Sequence, residues 1–318
     1  MAVTLAEAQK NVQDDLQIGV IDEFRKSNWI LDHITFDDVV SPVGGGATMT
    51  YGYTRLKTQP TAEFRDVNTE YSTSEVTKER HTVDLKIFGG AYKIDRVIAD
   101  MGGIVDEVDL QTKQKVKAAQ ALFNDTFING DAGVDSKAFD GLDKALTGSS
   151  TEFYKDSVID LSTSDKVTTN YMQFLDLIDE FLMTMNGTPS FLGMNNKMVA
   201  KLRACARRAS MYQVTKNDFG QQVEMYGNIP FVDLGAKPGS NDPVVETDSI
   251  EGTTSIYAGV LGLDGLHAVS PSGRAPIKTW LPDFKTAGAV KTGEVEMIAA
   301  IALKASKAAG VFRNIKVK

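Results

Sequence analysis

Apolar residues recur at three- and four-residue spacing over residues 105–129, which is the pattern of an amphipathic helix. Acidic residues gather at the start of this stretch, where the helix dipole favours anions, and Asn129-Gly130 supplies a predicted C-terminal cap. At about 1.5 Å per residue, the predicted helix is about 40 Å long. A helix of that length, buried on one side, is typical of the backbone of an elongated subunit.

Three further stretches show the helical pattern. One covers residues 171–185 and stops at Asn186-Gly187, and another follows a predicted N-cap at Asn195 and runs to about residue 209. The third begins at the N-terminus with a capping box over residues 4–7. Because a terminal helix has little of its own domain to pack against, we interpret it as an arm that docks elsewhere.

Two stretches, residues 48–56 and 81–94, alternate apolar and polar positions and predict a long β-hairpin. Gly89-Gly90 in the second stretch predicts a bulge or bend. The connection between the strands is polar, charged and long, which favours a functional loop. An isolated two-stranded hairpin is marginally stable, and no nearby segment is predicted to cover it. We therefore expect the hairpin to lie on another molecule.

Four shorter stretches predict the remaining strands, at residues 190–194, 227–232, 255–261 and 294–303. The periodicity of the last is also compatible with a helix. Together with the helices, these strands predict an α+β fold.

The composition is that of an ordinary globular chain. Of 318 residues, 42% are hydrophobic and 24% are charged, which is enough for one large domain or two modest ones. No apolar run reaches the roughly 18 residues of a membrane-spanning helix, and the N-terminus is not typical of a secretory signal. The formal charge of −8 argues against a protein that grips nucleic acid over its whole surface, because duplex affinity comes mainly from neutralising phosphates. We expect a cytoplasmic protein without a membrane partner.

Candidate catalytic and metal-binding groups are few. Cys205 is the single cysteine, and the three histidines are far apart, so no zinc spacing is present. Cys205 is compatible with a nucleophile activated by nearby arginines or with a buried, unreactive thiol, and the lack of a Cys/His signature favours the second. Gly44-Gly45-Gly46 is compatible with a phosphate cradle or a hinge, and the predicted strand after it favours the hinge. We expect no catalytic residue, no cofactor and no metal, which favours an assembly protein over an enzyme.

One charge cluster has two interpretations. The helix that follows Asn195 carries Lys197, Lys201 and Arg208 on one side. These side chains are compatible with a contact to phosphate or to an acidic strip of an identical subunit, and also with a solvated face.

Five short stretches, in a characteristic order, resemble recurrent motifs of one family. They are Phe127-Ile128-Asn129-Gly130-Asp131, Phe139-Asp140-Gly141-Leu142, Met194-Asn195-Asn196, Tyr226-Gly227-Asn228-Ile229-Pro230-Phe231 and Thr254-Ser255-Ile256-Tyr257-Ala258-Gly259. With the arm, the hairpin and the long helix, they make the chain resemble the major capsid proteins of tailed double-stranded DNA bacteriophages, which have the Hong Kong ninety-seven-type fold.

The resemblance implies a domain plan. It assigns residues 1–47 to an N-terminal arm and linker, 48–95 to an extended hairpin loop, 96–160 and 283–318 to a peripheral domain with a spine helix at 105–129, and 161–282 to an axial α/β domain.

The resemblance also implies a function. It implies hexamers and pentamers of the chain that form an icosahedral virion capsid around packaged double-stranded DNA, assembled in the host cytoplasm, with weak non-specific DNA contact. A portal protein, a separate scaffolding protein and a possible decoration protein are the other implied partners. We expect subunit contacts at Tyr51, Tyr53, Arg65, Asp66, Glu70, Glu75, Lys78, Lys197, Lys201 and Arg208.

Three alternatives stay open. An encapsulin-like nanocompartment shell has the same fold and encloses a cargo enzyme. A tail-tube subunit would lack the long helix. A cytosolic enzyme would use Cys205 or His267 as its catalytic group.

Overall fold

The computed structural model describes residues 29–40, 48–101, 106–210, 213–216, 222–271 and 276–318. The predicted N-terminal helix and Gly44-Gly45-Gly46 lie outside these residues. The described helices are α1 (Trp29–His33), α2 (Arg96–Met101), α3 (Glu107–Asn129), α4 (Leu142–Leu146), α5 (Ser164–Met183) and α6 (Asn196–Arg208), with a 3-10 turn at Ser306–Ala308.

The described strands are β1 (Phe36–Val40), β2 (Thr50–Leu56), β3 (Lys78–Asp84), β4 (Lys86–Asp95), β5 (Glu152–Phe153), β6 (Ile159–Asp160), β7 (Phe191–Met194), β8 (Gln213–Lys216), β9 (Gln222–Tyr226), β10 (Ile229–Asp233), β11 (Thr253–Gly259), β12 (Leu266–Pro271), β13 (Ile277–Trp280), β14 (Val290–Leu303) and β15 (Ala309–Lys316). The predicted α+β class is confirmed, and the four shorter predicted strands correspond to β7, β10, β11 and β14.

Two large sheets organise the chain. The first has the order β1-β12-β14-β13, with β4 also paired to β14, and the second has the order β5-β15-β11-β7-β10-β9-β8, with β6 also paired to β15. The sheets do not follow the predicted domain limits at three places. Strands β12 and β13 join β14 in the first sheet, whereas β15, from the chain's tail, joins the second, and so do β5 and β6 from the segment 96–160. The reason is packing, because Phe312 and Ile315 of β15 are fully buried in the apolar cluster of the second sheet. The domain limits themselves stay predictions.

The predicted long helix is confirmed as α3, and its described start is at Glu107. Its N-cap is Asp106, whose carboxylate accepts hydrogen bonds from the amides of Val108 and Asp109 at 2.8 and 3.2 Å. The C-terminal half supplies the buried residues, which pack in the apolar cluster of the first sheet. At 23 residues, α3 is about 35 Å long. The predicted C-cap is also correct in position, since the Gly130 amide bonds the carbonyl of Thr126.

The predicted second strand of the hairpin is divided at Leu85. Strand β3 pairs with β2, whereas β4 forms an unbroken antiparallel ladder with β14 from Lys86 to Asp95. The predicted bulge at Gly89-Gly90 is therefore wrong. Glycine serves another purpose there, because a Cβ at position 89 would lie 2.0 Å from the carbonyl oxygen of Val295.

Helices α5 and α6 cover the second sheet. The apolar side of α5 buries Phe174, Ile178 and Phe181, and α6 begins as predicted after Asn195, whose side chain accepts from the Met198 amide at 2.8 Å. Within the described ranges, no helix has the length and apolarity needed to cross a membrane.

Candidate subunit-contact surface

The hairpin consists of two regular strands and a long tip. Seven residue pairs join β2 to β3, from Thr50↔Asp84 to Leu56↔Lys78. Beyond them the two sides of the tip stay linked, because the Lys57 amide donates to the carbonyl of Thr77 at 2.8 Å. All residues from 56 to 80 are exposed. The tip therefore projects from the chain as a ribbon.

The end of the tip is a turn with an apolar surface. Asn68 has a left-handed backbone conformation (φ 70°), and the guanidinium of Arg65 lies 5.3 Å from the ring centre of Tyr71 and donates to the Thr69 carbonyl. Large apolar side chains without cover are also present there, namely Phe64, Val67 and Tyr71. Exposed apolar groups in one place mark a site of association.

The base of the hairpin is fastened to its own chain. The Tyr53 hydroxyl donates to the carbonyl of Leu303 at 2.9 Å, and Arg55 donates to the same carbonyl and, through Nε, to that of Lys304 at 2.7 Å. The ring of His81 stacks on that of Tyr53 at 5.5 Å between centres. The expectation that the hairpin lies on another molecule is therefore wrong for its base, because the end of β14, distant in the sequence, lies beneath β2.

A second contact holds Tyr51. This residue is 6% exposed, and its hydroxyl donates to Asp37 Oδ2 at 3.0 Å. The rings of Tyr51 and His267 meet in a T-shaped contact with 5.7 Å between their centres, and Lys304 Nζ lies 5.6 Å from the centre of the Tyr51 ring. Burial raises the pKa of the Tyr51 hydroxyl, so this group remains a neutral donor.

The basic helix contacts its own chain as well as solvent. The Lys201 ammonium donates to the carbonyl of Ser162 at 2.5 Å, and the Arg208 guanidinium donates to Thr168 and Ser164 near the start of α5. Lys197 is exposed. Two of the three predicted contact residues of α6 therefore bond their own chain, Arg208 at the start of α5 and Lys201 at Ser162 just before it.

The predicted contact residues fall into two groups. Tyr51, Tyr53, Lys201 and Arg208 make contacts inside the chain, whereas Arg65, Asp66, Glu70, Glu75, Lys78 and Lys197 are exposed. As contacts between subunits, all ten stay predictions.

Cys205 is fully buried, and burial raises the pKa of its thiol to about 11, so it is protonated at neutral pH. Among the residues that the structure describes, no cluster of three or more His, Cys, Asp or Glu side chains is arranged to hold a metal ion.

The sequence does not predict which residues anchor the base of the hairpin. This anchor consists of Asp37, His267 and Lys304, which come from distant parts of the chain, and in the sequence His267 is one of three histidines that are far apart. No local spacing signals such a cluster. The alternation in β2, which places Tyr51, Tyr53 and Arg55 on one face, is the signal that this face is covered.

Comparison with solved structures gives full-length matches. The holo-SrpI encapsulin complex from Synechococcus elongatus PCC 7942 matches with a TM-score of 0.66 and 14% identity, over 100% of this chain and 98% of that chain. A structure from Mycobacterium phage Bobi matches with a TM-score of 0.64 and 12% identity, over 100% and 99%. The capsid of a native GTA particle matches with a TM-score of 0.61 and 11% identity, over 98% of both chains. This chain has the Hong Kong ninety-seven-type capsid fold.

The resemblance drawn from the sequence is thus confirmed for the fold. The match extends over nearly the whole length of each chain. No protein-family model and no curated protein sequence matches the chain. At identities of 14% or less, the likeness to these structures is one of fold.

Proposed function

We propose that the chain is a structural major capsid protein, whose copies assemble through hexamers and pentamers into an icosahedral shell around packaged double-stranded DNA. The observation that carries this proposal is the hairpin. Its tip is exposed from residue 56 to residue 80, while its base is fastened to β14. An isolated two-stranded ribbon of this kind is only marginally stable in water. It is stabilised when Phe64, Val67 and Tyr71 pack on a neighbouring copy.

Repetition of this contact accounts for a closed shell. Every copy both offers a hairpin and receives one, and such head-to-tail contacts generate rings when the rotation closes. The tip, residues 57–77, carries four acidic and two basic side chains, and α6 presents the exposed Lys197 and Arg208. Complementary charge of this kind guides the pairing of copies more than it tightens it.

The proposed contents are DNA. A formal charge of −8 suits a wall that contacts packaged DNA weakly and without sequence preference. A portal protein, a scaffolding protein and a decoration protein are proposed partners, with assembly in the host cytoplasm and the virion capsid as the final location. The proposed role is structural, and no catalytic step is assigned to it.

A second function is favoured by one observation. The match to an encapsulin complex is as good as the match to the phage structure. An encapsulin-like shell that encloses a cargo enzyme is therefore the alternative. The two functions share the assembly step and differ in the contents of the particle.

The assembly step is tested with variants of the tip. The triple substitution Phe64→Ser, Val67→Ser, Tyr71→Ser should leave soluble subunits or rings that do not close, whereas Ile250→Ser, which alters an equally exposed apolar residue outside the hairpin, should still form shells. Negative-stain microscopy and light-scattering mass measure both results. Normal closed shells from the triple variant would refute the role of the hairpin.

The contents are tested on particles isolated from the natural source. Nuclease-protected DNA of uniform length inside the shell would support the capsid proposal. A co-purifying folded enzyme in particles free of DNA would support the encapsulin-like alternative.

A further inference from the structure

A buried histidine lies directly under the hairpin. The side chain of His267, in β12, has no exposed surface, and neither of its ring nitrogens has a hydrogen-bond partner among the described residues. Its Nε2 is 3.8 Å from Asp37 Oδ2, which is beyond hydrogen-bond distance. A buried polar group without a partner costs stability. The assembly contact proposed above does not explain why such a group is placed here.

The surroundings of this ring tie it to the hairpin. Tyr51, on β2, covers the ring and donates its hydroxyl to Asp37 on β1. Lys304, just after β14, brings its ammonium 4.0 Å from the same Asp37 oxygen, and Asp264 lies in the turn before β12. These are the charged and titratable groups that act on His267. Any movement that lifts the base of the hairpin takes Tyr51 off the histidine and opens it to water.

We propose that these residues form a proton-sensitive latch, in which neutral His267 keeps Tyr51 packed over it and protonation of His267 releases the base of the hairpin from the end of β14. All residues of the latch belong to one chain, so the proposal does not depend on whether the protein forms shells. The latch makes the angle of the hairpin depend on pH.

The direction of the response follows from solvation. Burial lowers the pKa of His267, and the nearby Lys304 lowers it further, while Asp37 and Asp264 oppose this shift more weakly. With the hairpin lifted, the ring meets water and its pKa returns towards the ordinary value of about 6.5. The released state then binds the proton more tightly than the latched state. The latch is fully stable above about pH 6.5 and weakens as the pH falls below that value, by up to about tenfold per pH unit.

Hydroxyl-radical footprinting with mass spectrometry tests the latch on the purified full-length protein from pH 8 to pH 5. Tyr51 reports release, the exposed Met183, outside the hairpin, normalises the radical dose, and the buried Tyr257 reports general unfolding. The variant His267→Gln has a matched control in His33→Gln, because His33 is exposed and lies outside the hairpin and its attachment. All three proteins are compared under the same conditions.

The expected result is that oxidation of Tyr51 rises below about pH 6.5, by up to about tenfold per pH unit, with Tyr257 unchanged. This rise should be present in the wild type and in His33→Gln, and absent in His267→Gln. Three results would overturn the latch: protection of Tyr51 down to pH 5 in the wild type, the same rise in His267→Gln, or an equal rise at Tyr257.

A second variant keeps the test decisive should His267→Gln fail to fold. Lys304→Met removes a positive charge near the buried ring, so the pKa of His267 in the latched state should lie closer to its ordinary value and the rise of Tyr51 oxidation between pH 6.5 and pH 5 should be smaller than in the wild type. A merely structural role of Lys304 would leave the size of this rise unchanged, and an unchanged rise would overturn the proposal.

Discussion

The amide of Gly141 donates a hydrogen bond to the carbonyl oxygen of Gly130, with 2.8 Å between the two atoms. This bond joins the end of α3 to the start of α4. A Cβ at position 130 would lie 2.2 Å from the carbonyl oxygen of Phe139, and one at position 141 would lie 2.6 Å from that of Ile128. The two backbones therefore cross more closely than any side chain permits. Two of the five motifs in the sequence are the two sides of this one crossing.

Gly141→Ala should lower the free energy of unfolding by at least about 2 kcal/mol, because the new methyl group overpacks the crossing. Gly52→Ala is the control, since a Cβ there meets only the flexible Arg80 side chain at 3.4 Å. That change should alter stability by no more than about 1 kcal/mol. Urea denaturation of unassembled subunits measures both, and similar midpoints for the two variants would contradict the close crossing.

Asn195 does two things at once, and its loss should be costly. Its oxygen caps α6, while its amide donates to the carbonyl of Val245 and to the hydroxyls of Thr247 and Thr254. Asn195→Ala should lower the free energy of unfolding by about 2–4 kcal/mol, because the cap is lost and buried acceptors lose their donor.

The neighbouring Asn196 provides the matched control, because it is exposed and begins the helix. Asn196→Ala should change stability by about 0.5 kcal/mol or less. Thermal unfolding of unassembled subunits measures the difference, and equal losses at positions 195 and 196 would be inconsistent with the proposed cap and hydrogen bonds.

Acid should weaken the contact between Glu152 of β5 and Arg313 of β15. Burial alone would raise the pKa of this carboxyl, but the hydrogen bonds from the Gly148 amide and Arg313 outweigh it and hold the pKa below its usual range. A carboxyl with a lowered pKa contributes stability that is complete above its ordinary pKa, about 4.3, and is lost as the pH falls through the lowered value.

Glu152→Gln removes this ionisable group, so its unfolding free energy should depend less on pH than that of the wild type between pH 5 and pH 3. Urea denaturation at several pH values gives this slope. Glu251→Gln, in an exposed turn, is the control and should keep the wild-type slope. An unchanged slope in Glu152→Gln would show that another carboxyl dominates.

Cys205 should resist labelling in the folded protein. Its thiol is buried and protonated at neutral pH because burial raises its pKa to about 11. A thiol reagent such as iodoacetamide should modify it only after unfolding, so the labelling rate should follow the opening of the second apolar cluster. Rapid labelling of the native protein would return Cys205 to the list of candidate nucleophiles.

Much of the fold could be predicted from short stretches of the sequence. The cap at Asn195 and the periodicity of α3 and α6 are contained in short windows, so these two helices could be predicted closely, whereas α5 begins at Ser164, seven residues before the predicted start at residue 171. The bulge at Gly89-Gly90 was wrong because a glycine has several uses. The sequence shows its small size but does not show that β14 passes against it.

The anchor of the hairpin could not be predicted for a different reason. Asp37, Tyr51, His267 and Lys304 meet only after β1, β12 and β14 have paired, and no pattern in one window reports that pairing. The exposed tip could be predicted from the sequence, because its polar composition and its length are not those of a core segment. The exposed tip of the hairpin could therefore be predicted, whereas the contacts that attach its base to the rest of the chain could not.

The attachment of the hairpin to β14 has an evolutionary consequence. Tyr53 and Arg55 bind main-chain carbonyl oxygens at positions 303 and 304, and every amino acid supplies such an oxygen. Substitutions on the receiving side can therefore accumulate without loosening the attachment. The side chain of Lys304, by contrast, faces Asp37 and Tyr51. Substitutions at position 304 can therefore change the proposed acid response of the hairpin during evolution, while the hydrogen bonds of Tyr53 and Arg55 to the main chain stay unchanged.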